Sequence, residues 1–109
     1  MARQDALKGS LPLLVLKLLA RRGPLHGYAI ATQIGSMSDE MLRVEEGSLY
    51  PALHRLEEAG GIRARWTTSE TGRRARVYEI TAVGRRQLES EEEHWRAVTA
   101  AVVKVLKLA

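Results

Sequence analysis

The residues of this chain whose types and spacing could do chemistry are concentrated in one segment, Gly47–Glu57. At 100° per residue in a helix, Leu49, Leu53 and Leu56 fall on one side. The other side needs no burial and holds Ser48, Tyr50, Pro51, His54, Arg55 and Glu58. Serine, tyrosine, histidine and arginine side chains can donate hydrogen bonds to base edges or phosphates. In helix-turn-helix proteins the N-terminal end of the recognition helix makes such contacts, and the spacing predicts a helix of that kind.

Two residues set the expected start of this helix. Ser48 is a good N-cap because its hydroxyl can accept a hydrogen bond from a backbone N–H one turn later. Pro51 is then tolerated because it falls within the first turn. Tyr50 lies near the border of the two faces, so a place in the core is the alternative to a DNA-backbone contact.

The sequence shows no residue pattern typical of a catalytic or metal-binding site. The chain has no cysteine, which excludes disulfides, thiolate metal sites and cysteine nucleophiles. Its histidines, His26, His54 and His94, lack the i, i+4 spacing of a helical metal site. No acid pair, Ser-His-Asp set or glycine-rich phosphate loop is recognisable. We therefore expect neither an enzyme nor a bound metal or cofactor.

Positive charge is concentrated after the proposed recognition helix. Residues 62–86 contain seven arginines and two glutamates, a net charge of +5 against +4 for the whole chain. Ile62–Thr67 alternates like a half-buried strand, Arg76–Ile80 is a plausible second strand, and the polar segment Ser69–Arg74 between them is typical of a hairpin loop. A solvated charged face is the simpler interpretation of such a cluster. Its position favours a DNA-binding wing, with contacts from Arg73, Arg74 and Arg76.

Length and hydropathy set the remaining bounds. One hundred and nine residues predict one domain of modest core, for which an oligomer interface is often needed. The pI near 9.9 is a weak indication that the protein binds a polyanion such as nucleic acid. The longest apolar run, Leu11–Leu16, is too short to span a bilayer, and the N-terminus lacks the layout of a secretion signal. We expect a soluble, cytoplasmic protein.

The other segments complete a winged helix-turn-helix. Ser10 is expected to cap a first helix that ends at Arg22, and a second helix is expected from His26–Tyr28 to Gly35–Ser36. Residues 37–46 predict a connector with a brief edge strand at Arg43–Val44. The fold class is mainly α with a small β-hairpin (α+β).

These residues together resemble a known family. The segments that match, in order and with compatible spacing, are Gly9–Leu11, His26–Tyr28, Gly47–Leu53, Leu56–Glu57, Gly60, Arg73–Arg74, Tyr78, Thr81 and Gly84. They are similar to the pattern of PadR-type bacterial transcriptional regulators over roughly residues 8–88. The resemblance implies a dimeric, DNA-binding repressor with a helical C-terminal dimerisation element, here of the short type. Gly61 stands where the family has a larger apolar residue, which implies a looser turn into the wing.

The C-terminal segment indicates assembly independently of the resemblance. Thr81 can cap a helix from Ala82 to about Lys107, which divides the chain into a DNA-binding domain (1–81) and a dimerisation helix (82–109). A 25-residue helix is about 37 Å long at 1.5 Å per residue, longer than packing on so small a domain requires. A heptad trace with Glu91 as its polar interruption predicts an interface formed by Leu88, Trp95, Val98, Val102, Val105 and Leu106.

The sequence thus predicts a sequence-specific regulator, most simply a repressor, that binds a pseudo-palindromic site in double-stranded DNA as a homodimer. The alternative is a winged-helix protein-interaction module without DNA binding, which the basic wing opposes. A further hypothesis places a planar aromatic effector against Trp95, because two indoles of a symmetric dimer could leave a flat apolar slot. Trp95 could instead simply fill the dimer core.

Overall fold

The computed structural model describes the backbone of residues 2–109 and the side chains from Gly9 onward. Its elements, in chain order, are α1 (Ala2–Arg22), β1 (Leu25–His26), α2 (Gly27–Met37), α3 (Glu46–Glu58), β2 (Ile62–Thr68), β3 (Arg74–Ile80) and α4 (Ala82–Leu108). This order confirms the mainly α winged helix-turn-helix with one long C-terminal helix. No helix in the described part of the chain is long and apolar enough to cross a membrane.

The three strands form one antiparallel sheet in the order β1-β3-β2. Ile62 pairs with Ile80, and Trp66 pairs with Arg76. Because side chains alternate between the two faces of a strand, Ile62 and Trp66 share the face of Ile80 and Arg76. This face is apolar near α3 and becomes cationic and aromatic toward the tip of the hairpin.

A single apolar core holds the three N-terminal helices against this sheet. Leucines at helical spacing in α1 supply much of it, and α2, α3, the sheet and the start of α4 complete it. The residues almost fully removed from solvent are Leu11, Val15, Leu16, Leu19, Ile30, Leu49, Ala52, Leu53, Leu56, Ile62 and Tyr78. Burying a leucine, isoleucine or valine side chain in this core contributes about 1.5–3 kcal/mol. The buried residues of α3 lie on one side of the helix, so the core holds α3 by that face only.

Both predicted serine caps are wrong. α1 begins at Ala2, so Ser10 and Pro12 lie inside the helix. The residues before Ser10 include good helix formers, and their propensity extends the helix past the serine. α3 begins at Glu46, with the extended backbone of Glu45 (φ −92°, ψ 153°) preceding it. A carboxylate at Glu46 suits the positive end of the helix dipole, and the earlier start places Ser48 within the helix.

The connector between α2 and α3 also differs from the prediction. The third strand is β1, and Arg43–Val44 forms no strand. Two residues at Leu25–His26 suffice to extend the sheet because they pair with Tyr78 and Val77 of β3. The connector is held instead by Ser38, whose hydroxyl donates to the carbonyl of Gly35 and accepts from the N–H of Leu42.

α4 starts as its sequence predicts and is anchored to the turn before the wing. The Thr81 hydroxyl accepts from the N–H of Gly84 at 3.1 Å and lies 2.6 Å from the carbonyl oxygen of Gly60 and 3.0 Å from that of Gly61. Gly61 is buried and its N–H donates to Leu56. The turn is therefore tightly held, and the expectation of a loose turn is wrong.

The first turns of α4 contribute to the core. Gly84 and Leu88 are buried, and α4 packs along α1. The division into residues 1–81 and 82–109 stays a prediction, and the start of α4 packs with the N-terminal part.

Candidate nucleic-acid interface

The core presents one face of α3 to solvent. Leu49, Ala52, Leu53 and Leu56 are buried, whereas Pro51, His54 and Arg55 are exposed and Ser48 is half-buried. Since the leucine face anchors the helix on α1 and the sheet, the polar face cannot turn inward without unfolding the core. α3 therefore presents the predicted residues to an external partner.

Tyr50 lies where α3 meets the N-terminal end of α2. A Cβ at position 27 would come 2.9 Å from the Tyr50 hydroxyl oxygen, so Gly27 lets the ring lie directly against the start of α2. The side chain remains 45% exposed. The phenol is thus packed on one side and accessible on the other.

The remaining polar residues of α3 differ in their partners. His54 Nε2 lies 3.2 Å from Glu58 Oε1, one turn along the helix, with both side chains largely exposed. Arg55 lies beside Gly47 and Pro51 at a shallow depression. It belongs to none of the ion pairs between described side chains. Its guanidinium can therefore serve an external acceptor without breaking an internal ion pair.

A hydrogen-bonded loop forms the tip of the wing. The N–H of Ser69 donates to the carbonyl of Arg73 at 2.8 Å, and the N–H of Arg73 donates to the Ser69 hydroxyl at 3.2 Å. Gly72 has φ of +82°, a backbone conformation that glycine adopts most readily. The reversal places Arg73 at the tip and Arg74 at the first position of β3, both exposed.

Arg76, the third predicted wing residue, is engaged within the protein. Its Nη2 donates to Glu57 Oε2 of α3 at 3.1 Å, and its guanidinium lies 5.7 Å from the centroid of the Tyr78 ring. Burial raises the pKa of the Tyr78 hydroxyl, so this ring stays neutral beside the cation. Arg76 therefore ties the wing to α3.

An open groove separates the wing from the N-terminal ends of α2 and α3. It brings together two of the predicted arginines and the predicted tyrosine with aromatic residues that the sequence analysis did not select. Its lining includes His26, Gly27, Tyr28, Tyr50, Trp66, Arg73, Arg76 and Tyr78.

Sequence reasoning missed Trp66, Tyr28 and Glu57 at this surface. Tyr28 is 80% exposed. Trp66 is 57% exposed, and its position opposite Arg76 follows only from the strand register. The sequence signal that could have identified Trp66 is its place in a strand with alternating arginines.

The distal part of α4 carries the predicted interface stripe. Trp95, Val98, Val102, Val105 and Leu106 are between 36% and 76% exposed. Leu88 differs because it is 8% exposed and lies in the core of its own chain. Its burial leaves it outside the free apolar stripe, which begins farther along the helix.

Metal chemistry has no site among the described side chains. No group of three or more His, Cys, Asp or Glu residues there could hold a metal ion. The three histidines lie on different elements.

Comparison with solved structures shows the same architecture in transcriptional regulators. A regulator from Clostridium thermocellum superposes with a TM-score of 0.83 at 31% identity, covering 92% of this chain and 96% of the other. A PadR family regulator from Eggerthella lenta gives a TM-score of 0.80 at 30% identity, covering 97% and 89%. Bacillus subtilis PadR, solved in complex with operator DNA, gives 0.66 at 29% identity, covering 73% of this chain and 45% of the longer one.

The sequence gives the same assignment. The model of the transcriptional regulator PadR-like family matches residues 15–90, from α1 through the wing to the start of α4. The family and these structural neighbours are transcriptional regulators and not enzymes. The chain therefore belongs to the PadR-like family of transcriptional regulators.

Proposed function

We propose that this protein is a sequence-specific, double-stranded-DNA-binding repressor that acts as a homodimer. The observation that carries the proposal is the exposed polar face of α3, held by a buried leucine face and set beside a wing with two exposed arginines, Arg73 and Arg74. The complex of Bacillus subtilis PadR with operator DNA supports it by similarity. The proposal implies a cytoplasmic protein, because prokaryotic DNA lies in that compartment.

The residues of α3 have distinct roles in this proposal. α3 lies in the major groove, where Arg55 can donate two hydrogen bonds to O6 and N7 of a guanine. His54 lies on the same exposed face and reaches a neighbouring base edge or phosphate. Ser48, Tyr50 and Pro51, nearer the start of the helix, contact the DNA backbone and fix the register.

The wing supplies contacts that do not depend on sequence. Arg73 and Arg74 lie along phosphates or reach the adjacent minor groove, where they release condensed counterions. Arg76, the third arginine proposed to contact DNA, also orients the wing relative to α3 through its ion pair with Glu57. In this proposal α3 reads the bases and gives specificity, whereas the wing binds phosphates and adds affinity.

Dimerisation rests on the apolar stripe of α4. Valines and leucines that are 40–76% exposed, from Val98 to Leu106, cost free energy in water. Two such helices crossing around a two-fold axis bury them against each other and place two α3 helices toward successive major grooves. The interface comprises Trp95, Val98, Val102, Val105 and Leu106.

We further propose that a small effector binds at Trp95. Trp95 is 36% exposed, at the start of the free stripe. A planar aromatic compound could stack on the indoles of a dimer and alter the separation of the two α3 helices. In a Trp66→Phe variant, quenching of Trp95 fluorescence together with release of DNA by such compounds supports this site. No quenching by a varied panel of them contradicts it.

DNA binding itself is tested by selection. The purified protein is incubated with a random duplex library, and bound DNA is amplified over several rounds. We expect one enriched sequence that binds at least 10³-fold more tightly than mixed-sequence duplex of the same length, the lower end for specific DNA-binding proteins. No enrichment, with no retention of either the library or mixed-sequence duplex at low salt, would instead indicate the protein-interaction alternative.

A further inference from the structure

Trp66 occupies an unusual position on the wing. It is 57% exposed, although an indole of this size is usually more buried. Its ring centroid lies 4.8 Å from the guanidinium carbon of Arg74 and 5.8 Å from that of Arg76. Both distances are within the range of cation–π attraction, so one exposed ring contacts two arginines on the inner face of the hairpin.

The two arginines are held differently. Arg76 also donates to Glu57 and lies beside Tyr78, so it is fixed without Trp66. Arg74 enters none of the ion pairs of the described side chains. Its guanidinium lies against the Trp66 ring instead. This contact limits the directions in which the side chain points and occupies no carboxylate, so the guanidinium can still meet an external acceptor.

We infer that Trp66 is a positioning residue, which holds the guanidinium of Arg74 toward the phosphate backbone of bound DNA. The inference rests on the proposed DNA-binding function. An unrestrained arginine side chain loses rotamer entropy when it is fixed in one conformation. A side chain already restrained by stacking loses less of it on binding, and preorganisation of this kind increases affinity. Trp66 thus acts through Arg74 rather than by touching DNA.

A double-mutant cycle tests this coupling. The probe is a labelled 30-base-pair duplex selected by the wild-type protein, with a mixed-sequence duplex of equal length in parallel. Trp66→Ala should weaken binding of both duplexes about two- to five-fold per protomer, the range of an exposed cation–π contact. Arg74→Ala should lower the log–log salt slope by about one unit per protomer. In the Arg74→Ala background, Trp66→Ala should have no further effect.

Two matched variants separate positioning from other roles. Trp66→Phe keeps an aromatic face and should bind within about two-fold of wild type. Arg65→Ala removes one positive charge from the same strand but from the opposite face and should leave the coupling between Trp66 and Arg74 unchanged. Circular dichroism and the unfolding midpoint confirm that each variant is folded.

The outcomes distinguish this inference from the proposed function. If Trp66→Ala weakens binding equally with and without Arg74, the ring contacts DNA itself or supports the wing generally, and the inference is wrong. The same conclusion follows if Trp66→Ala has no effect while Arg74→Ala weakens binding. If the wild-type protein binds neither duplex, the proposed function fails first.

Discussion

At the scale of single residues, Arg55 has the chemistry best suited to reading a base. Its side chain is exposed on α3 and forms no ion pair with any described residue. Replacing Arg55 by Ala should weaken binding of the selected operator by about 1–3 kcal/mol and relax preference at one position. Binding measured by fluorescence anisotropy across single-base variants of the operator checks this.

Two further variants are needed to interpret the effect of Arg55→Ala on DNA binding. Tyr50→Phe removes a hydroxyl proposed to meet the DNA backbone and should weaken all sequences alike. Arg22→Ala removes an exposed arginine at the end of α1, which lines a depression with Ile34 and Met37 of α2, and should change neither affinity nor sequence preference. If Arg55→Ala and Tyr50→Phe both bind the operator with wild-type affinity, the exposed face of α3 is not the DNA-binding face.

Among the glycines of this chain, Gly84 leaves the least room for a Cβ atom. A Cβ there would overlap the carbonyl oxygen of Gly61 and lie 2.8 Å from Ile80 Cγ1. Backbone cannot yield as a flexible side chain does, so Gly84→Ala should destabilise the protein by about 1–3 kcal/mol. Gly47→Ala is the matched control, because nothing lies within 4 Å of its Cβ and alanine favours the helix. Urea unfolding that finds the two variants equally stable contradicts the proposed contact.

Residue types predicted the exposed and buried faces of α3 but not its first residue. The leucine spacing fixes the faces because only one rotation of the helix buries all three. A serine such as Ser48 is compatible with both an N-cap and a first-turn position, and Glu46 is favourable at the same end. Local preferences of about 1 kcal/mol therefore could not decide the boundary.

At the scale of elements, α1 and α4 are tied by an ion pair. Lys17 Nζ donates to both carboxylate oxygens of Glu92 at 3.0 and 3.1 Å, and Arg96 adds a third contact at 3.2 Å. The hydrogen bond from Lys17 is the main reason that the pKa of Glu92 is lowered from 4.5. This pair connects the winged part to the distal helix.

Because the folded-state pKa of Glu92 lies below its unfolded value, its contribution to stability has a defined pH dependence. The contribution is complete above the unfolded pKa and is lost as pH falls through the folded one. Glu92→Gln should therefore be less stable than wild type at neutral pH, and the difference should shrink below about pH 4.5. Glu93→Gln, outside the ion pairs of the described side chains, is the control. If the stability difference between wild type and Glu92→Gln stays constant from pH 7 to pH 3, the Lys17–Glu92 ion pair does not stabilise the protein.

Elements with strong periodicity could be predicted from the sequence, whereas the shortest one could not. The alternation of Ile62–Thr67 is a local signal and gave β2 to within one residue. β1 has two residues and exists because β3 offers it a pairing edge. Such a strand depends on tertiary contact, which no local pattern records. The groove between the wing and the N-terminal ends of α2 and α3 was missed because it too depends on tertiary contacts between distant segments.

At the scale of the whole molecule, the distal half of α4 projects beyond the core. The molecule measures 57 × 28 × 21 Å, and every residue from Glu93 to Ala109 is exposed. Truncation after Leu88 keeps the residues of α4 that pack in the core but removes the apolar stripe. We expect this chain to sediment as a monomer with much weaker DNA binding, and circular dichroism should show that it remains folded. A truncated chain that still forms dimers would place the interface elsewhere.

The central claim is that two α3 helices of one dimer read two adjacent major grooves. Hydroxyl-radical footprinting of the selected operator by the wild-type protein tests it most directly. We expect two equivalent protected regions related by a two-fold axis, with half-site centres about 10 base pairs, or a multiple of one helical turn, apart. One unrepeated protected region, or no protection at concentrations that saturate the duplex, would contradict it.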